Sequence, residues 1–355
     1  MSLSFLDKEP ISQKFLRTLL RLGEYKGKYE LFTKQTPQIL EALRESARIE
    51  SIEASNRIEG VVASPRRLQE IVRKGGTPLN RPEKEIAGYR DVLETIHISY
   101  EHIPVTPNYI LQLHRNLYAP SGESTGGEWK RTDNEIAETH PDGTRHIRFR
   151  PVPAWQTPDA MRLLCDRYRN LNETGEVDPL ILIPAFVLDF LCIHPFADGN
   201  GRMSRLLTLL LLYQSGHMVG RYISLERIIE KHKDGYYETL GIASQGWHEG
   251  THTITRWREY ILGVVLASAY REFEDRVGTV KSGTRGAKAE QVQAAIRRLP
   301  LRFRFEDVQR AAPGVSDALL RKIMAELKKD GLLLSGRGPS AYWEKTDAFG
   351  TTPTP

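Results

Sequence analysis

Residues 181–193 and 206–213 are almost wholly apolar, and a short stretch rich in charge and glycine separates them. Runs this continuous predict buried helices, with Pro184 tolerated in the first turn of the leading one. Upstream, residues 11–30 and 37–58 mix apolar and basic positions at helical spacing, and residues 81–100 and 108–118 repeat that period. Pro65, Gly75, Gly76 and Pro78 confine the helix expected within residues 61–79 to a short one between turns. Residues 120–153 break the helical period. They are rich in glycine, threonine and charge, and Asp142-Gly143 predicts an exposed β-hairpin between 135–137 and 146–149. Helical spacing returns at 253–277, which predicts the last helix of the core.

Beyond that helix, Gly283 and Gly286 among Thr, Lys, Ser and Arg make residues 278–286 a linker. Residues 287–298, 303–311 and 316–330 predict three helices, the last with Ser316 as N-cap and Gly331 as its stop. Strands at 332–334 and 341–344, around a turn at 335–338, complete a second hairpin. The expected architecture is therefore mainly α. An N-terminal helical region spans 1–108, a catalytic core 109–277, the linker 278–286 and a C-terminal module 287–347.

The polar stretch between the two buried helices gathers His194, Asp198, Gly199, Asn200, Gly201, Arg202 and Arg205. Such groups are costly to place beside a core unless they bind something. Gly199 and Gly201 allow successive N–H groups to point inward, as in an anion nest. The helix starting near Gly201 adds its positive end. Arg202 and Arg205, three apart, are expected to share a face and fork onto phosphate oxygens. Asp198 is a hard ligand suited to Mg²⁺, and His194 can take a proton near neutral pH. The set suits metal-assisted transfer of a phosphoryl or nucleotidyl group. Any one of these residues would equally serve an ordinary interhelical loop; the arrangement is what argues for chemistry.

The run His194-Pro195-Phe196-Ala197-Asp198-Gly199-Asn200-Gly201-Arg202-Met203-Ser204-Arg205 resembles, at every fixed position, the signature of the Fic family. The resemblance implies a Fic-fold helical core and transfer of AMP from ATP to a hydroxyl on a target protein. Kinase-type relatives of the fold depart from the signature after the Asn, whereas Gly201 and Arg205 are kept here. It implies that His194 is the base and that Asp198 holds Mg²⁺ against the α- and β-phosphates. Gly199, Asn200 and Gly201 would cradle the phosphates, Arg202 would support them, and Arg205 would order the γ-phosphate.

Ser55-Asn56-Arg57-Ile58-Glu59-Gly60, alone an ordinary helix end, resembles the family's inhibitory helix in the class that places it ahead of the core. Ser55 and Glu59 face one way, and Gly60 stops the helix. The resemblance implies that Glu59 pairs with Arg205 and denies ATP a productive pose. The hairpin is similar in position to the family's flap, which holds a target protein by strand addition. Gly127-Glu128-Trp129-Lys130-Arg131 and Pro151-Val152-Pro153 match that region loosely, and His114 sits in a stretch resembling the first core helix, where it is expected to pack or cap. Tyr236-Tyr237 with Leu240 resembles the stretch beside the adenosine, which makes Tyr237 a nucleotide contact; core packing accounts for both tyrosines as well. Residues 243–246 lack the Asn that relatives often place near the base, and residues 230–233 read as a solvated face.

Charge adds a second theme. The net charge is +5, and residues 285–347 hold 13 Lys/Arg against 8 Asp/Glu, so this segment accounts for all of it. The module resembles a winged helix, with Arg321, Lys322, Lys328, Lys329 and a wing-tip Arg337 as candidates for DNA phosphates. No apolar segment reaches the ~20 residues of a membrane span. Neither a signal pattern nor a disulfide framework is present, since Cys165 and Cys192 are the only cysteines; a cytoplasmic setting is expected. The resemblance further implies self-association as a homodimer. Two alternative functions stay open: removal of AMP from a modified target with Glu59 positioning water, and a DNA-binding regulator that senses nucleotide.

Overall fold

The computed structural model describes residue 3 and residues 10–33, 37–122, 126–139, 144–281, 287–312, 315–335, 342–346 and 349. It opens with α1 (Gln13–Thr33), α2 (Pro37–Ile58), α3 (Pro65–Lys74), α4 (Arg81–Ser99) and α5 (Pro107–Tyr118). A hairpin of β1 (Ile136–Thr139) and β2 (Arg145–Phe149) follows, then α6 (Thr157–Thr174), α7 (Pro179–Ile193) and α8 (Asn200–Gln214). Next come α9 (Leu225–Lys231), α10 (Lys233–Ser244), α11 (Thr255–Glu259), a π-helical segment (Tyr260–Leu266) and α12 (Ala267–Lys281). The chain divides into two compact units, one of Met1–Lys26 with Ala47–Tyr270, the other of Gly27–Ser46 with Arg271–Pro355.

In the larger unit the two apolar runs become α7 and α8, as expected, and every residue from 182 to 193 is buried. α7 packs against α6 and α8, and α8 packs against α4. The start of α7 differs from expectation. The Asp178 carboxylate accepts from Leu180 N at 2.8 Å, so the helix begins ahead of the apolar run. Pro184 consequently falls in the second turn, and its carbonyl accepts from Trp257 Nε1 at 2.8 Å. α6 lies where no helix was expected, although Met161, Leu164, Cys165, Tyr168 and Leu171 form one buried stripe. The helix expected over 253–277 forms with a π-helical segment inside it, and α12 runs to Lys281, into the expected linker. The remainder of that linker, 282–286, lies outside the described residues.

β1 and β2 pair antiparallel, with a register shift between Ile136 and Ala137. The Asp142-Gly143 turn lies outside the described residues. Among those residues no helix is long and apolar enough to cross a membrane.

The smaller unit has its own core. α13 (Ala287–Arg298), α14 (Phe305–Ala311) and α15 (Asp317–Lys329) surround Val292, Ile296, Phe303, Val308, Met324 and Leu333. Its sheet has three strands rather than the expected two. β3 (Arg302–Phe303) and β4 (Leu333–Ser335) both pair antiparallel with β5 (Trp343–Lys345). Residue 303, expected to open a helix, belongs to β3 because Phe303 points into the core at 2% exposure. Ser316 stands at the N-cap of α15 without a side-chain bond. Two of the basic residues expected to meet a polyanion are engaged internally. The Arg321 guanidinium lies 4.5 Å from the Phe305 ring centre, and Lys328 Nζ donates to Ser335 Oγ at 2.5 Å. Arg337 and the 336–338 part of the turn lie outside the described residues.

α4 and α5 approach so closely that a Cβ at Gly88 would stand 1.9 Å from Leu117 O. Backbone cannot yield as a flexible side chain does. Gly88→Ala is therefore expected to destabilise the chain by about 1–3 kcal/mol in urea unfolding, and an unchanged midpoint would contradict the packing described.

Candidate active site

The catalytic candidates sit where α7 hands over to α8. His194 is the C-cap of α7 in the left-handed region, φ 50° and ψ 61°, and its N–H donates to Phe190 O at 2.9 Å. His194 Nδ1 lies 3.3 Å from Leu191 O. A carbonyl only accepts, so Nδ1 carries the proton and Nε2 keeps a lone pair. Burial, then the Lys130 charge, pushes the imidazole pKa down to about 4, against the opposing pull of the Leu191 carbonyl, Glu59 and Asp198.

Arg205, on α8, is 3% exposed and bound from α2. Its Nε donates to Ser55 Oγ at 2.8 Å, and Nη2 donates to Ser55 O and Glu59 Oε1, both at 2.9 Å. Burial alone would lower the guanidinium pKa; the Glu59 charge and hydrogen bond together with Tyr236 and Tyr89 outweigh it, and the pKa is raised. Gly60 N donates to Arg57 O and Val61 N to Asn56 O, the paired bonds of a Schellman end that turns Glu59 back over the cleft. Residues 231–233 are exposed, in keeping with the solvated face expected there, yet two residues of the stretch 230–233 also hold this helix end. Glu230 pairs with Arg57 at 3.1 Å, and Lys233 Nζ donates to Ile58 O at 3.0 Å.

Glycine serves twice at the start of α8, for its backbone at Gly199 and to leave room for the Glu59 carboxylate at Gly201. Gly199 has φ 81°, and a Cβ on Gly201 would stand 2.2 Å from Glu59 Oε1. The Glu59 carboxylate therefore lies against the positive end of α8, where an anionic ligand would seat.

Two residues depart from their expected placement, while Asp198 reaches the cleft. Arg202 does not join Arg205; Nη1 donates to Glu85 Oε2 at 2.7 Å and Nη2 to the Tyr118 hydroxyl at 2.9 Å. Three helical residues advance the azimuth by about 300°, enough for long side chains to diverge to different neighbours. The Asn200 side chain is turned into the loop, accepting from Phe196 N at 3.0 Å and donating to Phe196 O at 2.8 Å. Only its backbone remains for a ligand. Asp198 Oδ1 accepts from Gly199 N at 2.7 Å, and its side chain is 63% exposed.

These elements enclose a cleft of about 780 Å³, counting its open mouth. His194, Asp198, Gly199, Asn200, Gly201 and Arg205 line one side, and Glu59 reaches it from α2. α10 adds Tyr236, Tyr237, Leu240 and Ser244, while Ile136, Arg148 and Phe149 come from the hairpin. Arg202 is not among the lining residues.

Residues 104–212 match the Fic/DOC family. The chain carries a Fic/DOC family domain. It is 28% identical over 166 residues to the protein adenylyltransferase Fic of Drosophila grimshawi, covering 46% of this chain and 30% of that protein. It is 28% identical over 146 residues to the protein of the same name in Culex quinquefasciatus, covering 40% and 25%. The chain thus spans less than a third of the length of these curated relatives. A solved Fic family protein from Desulfovibrio desulfuricans G20 is similar with a TM-score of 0.60 and 24% identity, over 95% of this chain and 97% of that one. Residues 134–508 of Fic-1 from C. elegans give 0.58 and 20%, over 76% and 73%. At these identities the solved structures establish the fold.

Within the Fic domain, His114 packs as expected. Its Nδ1 accepts from Gly127 N at 3.0 Å, Nε2 donates to Asp198 O at 3.1 Å, and its ring stacks on Phe196 at 3.6 Å. Burial takes its pKa down to about 4 against the opposing pull of the Asp198 carbonyl, which suits a ring nitrogen that must accept. The hairpin residues Arg148 and Phe149 and the α10 residue Ser244 were not anticipated; nothing in an exposed-strand pattern marks a side chain that reaches a cleft. Among the described residues no group of three His, Cys, Asp or Glu could hold a metal. A cation beside Asp198 would complete its shell with water and ligand oxygens, which fits Mg²⁺ and not a thiolate- or imidazole-bound metal.

Glu85, at 2.7 Å, is the buried and hydrogen-bonded carboxylate partner of the 2%-exposed Arg202 side chain; the exposed Asp198 carboxylate stands farther off at 3.7 Å. Glu85→Ala is expected to cost about 3–5 kcal/mol of stability in urea unfolding, because it strands a buried guanidinium. A loss under about 1 kcal/mol would mean the pair behaves like an exposed one.

Proposed function

We propose that this chain is a protein adenylyltransferase that moves AMP from ATP to a hydroxyl side chain of a target protein and is held back by Glu59. The observation that carries this reading is the meeting, in one cleft, of an imidazole with an available Nε2, a carboxylate and a helix start beside Arg205. In the forward step the target hydroxyl gives its proton to His194 Nε2 while its oxygen bonds to the α-phosphorus. The bond from that phosphorus to the bridging oxygen breaks, and pyrophosphate leaves. Asn200 and Gly201 offer backbone N–H groups to the phosphates, Gly199 N–H joins them once Asp198 Oδ1 turns away, and Arg205 grips the γ-phosphate once Glu59 lets go. Asp198 would hold Mg²⁺, whose charge would offset that building on the phosphate oxygens. Tyr237 and Leu240 offer an aromatic face and an aliphatic wall to the base.

Glu59→Gly is expected to raise incorporation of AMP into the chain itself by roughly tenfold or more, since a guanidinium freed for the γ-phosphate aligns the α-phosphate for attack. Intact-mass spectrometry after incubation with ATP and Mg²⁺ checks this: the gain of one AMP unit should appear in Glu59→Gly and vanish when His194→Ala is added. No gain in Glu59→Gly would remove the autoinhibition claim.

The pKa of His194 near 4 fixes a pH profile. A lowered histidine pKa keeps the base neutral until the solution is quite acidic, so the Glu59→Gly rate should stay level from about pH 8 down to about pH 6. An acid limb centred near the ordinary imidazole value would contradict the buried, neutral base.

A second reading is supported by the Glu59 side chain, which is one-third exposed and lines the cleft. There it could orient a water for removal of AMP from a modified target. Release of AMP that disappears in Glu59→Gly would favour it.

A further inference from the structure

The segment between α5 and the hairpin carries an ammonium group that packing alone does not require. Lys130 is 4% exposed, and burying a lysine head costs several kcal/mol unless its donors are met. Two of the three are met, one of them by the turn that presents His194. Lys130 Nζ donates to Ile193 O at 3.0 Å and to Asn134 Oδ1 at 2.8 Å. Lys130 N donates to Pro195 O at 2.9 Å. Asn134 Nδ2 completes the set, donating to His194 O at 3.4 Å and to Phe196 O at 3.1 Å. Four successive carbonyls, from Ile193 to Phe196, thus accept from one short segment.

We propose that Lys130 and Asn134 form a clamp that positions the His194 imidazole by holding the carbonyls on both sides of it, an inference that rests on the adenylyltransferase reading. The need is physical. A non-glycine residue in the left-handed region costs on the order of 1 kcal/mol or more and persists only when its surroundings over-determine it. The last carbonyls of α7 have no partner inside the helix, and a cation is favoured at that negative end. An ammonium with three donors and a carboxamide with two supply what a single apolar residue cannot. Trp129 adds a wall, its ring stacked 5.3 Å from Phe196. Asn134 also stands two residues before β1, whose Ile136 lines the cleft. The clamp therefore ties the base of the hairpin to the loop that carries the catalytic imidazole. Lys130 acts through His194 and is a positioning residue.

The test uses the full chain with Glu59→Gly as parent, adding Lys130→Met, Lys130→Arg or Asn134→Ala. The readouts are kcat and KM for ATP in AMP incorporation, and amide exchange at His194 and Phe196. A base displaced by an ångström loses rate without losing nucleotide, so Lys130→Met should lower kcat by about 10- to 100-fold at nearly unchanged KM. Lys130→Arg should recover most of that loss, and the His194 and Phe196 amides should exchange faster in Lys130→Met. Parent-like kcat in Lys130→Met overturns the clamp, and so does a loss confined to KM, which would place Lys130 in the pocket wall. Should Lys130→Met fail to fold, Asn134→Ala carries the same test, because it keeps the ammonium and its bond to Ile193 O while removing the bridge to His194 O and Phe196 O and one acceptor of Lys130 Nζ. A parent without AMP transfer would sink the adenylyltransferase reading separately; unchanged exchange at the two amides would then still overturn the clamp.

Discussion

Arg205 can satisfy one anion at a time, and the site is arranged around that limit. Its guanidinium is buried, held by a hydroxyl and a carbonyl of Ser55, and completed by the Glu59 carboxylate. A buried cation cannot be left without a partner, so the inhibited state is stable as it stands. An incoming polyphosphate can displace Glu59 only by offering the guanidinium a better set of oxygens. The same carboxylate lies against Gly201 at the start of α8, so one side chain covers both the arginine and the helix end. Under the proposed reading, the Glu59 carboxylate and a ligand phosphate are alternative occupants of a single electropositive spot.

Around this spot, much of the Fic signature serves to hold a short loop still. Arg202 ties α8 to Glu85 of α4 and Tyr118 of α5. Asn200 closes the loop on Phe196, and Phe196 is sandwiched by His114 and Trp129. Lys130 and Asn134 take the carbonyls on the far side. Of the charged or titratable signature side chains, His194, Asp198 and Arg205 are left facing the cleft. Preorganisation of this kind is what lets an imidazole and a phosphate meet within a fraction of an ångström.

The sequence was most legible where spacing is enforced by a motif or by a helix. The span of α2, the buried pair α7 and α8, and the facing of Glu59 toward Arg205 were all readable from pattern and resemblance. What could not be read was direction and depth. Arg202 and Arg205 stand three apart, yet which one finds Glu85 and which finds Glu59 depends on neighbours more than a hundred residues away in the chain. Asn200 looked like a ligand donor because its own loop's need for an internal bond has no linear signature. Lys130 fell in a charge-rich stretch that matches the flap region only loosely, and composition does not reveal that an ammonium is buried. α6 went unread although its stripe has ordinary helical spacing, because the stronger apolar runs after it drew the period. Strand β3 is two residues long, too short for any period to register.

The competition between Glu59 and a γ-phosphate for Arg205 is tested most directly by calorimetric titration of the wild-type and Glu59→Gly chains with ATP and with ADP. If the carboxylate and the γ-phosphate claim the same guanidinium, removing Glu59 should widen the preference for ATP over ADP. An equal ATP-to-ADP ratio in the two chains would mean that Arg205 does not read the γ-phosphate, and the account of the site would fail.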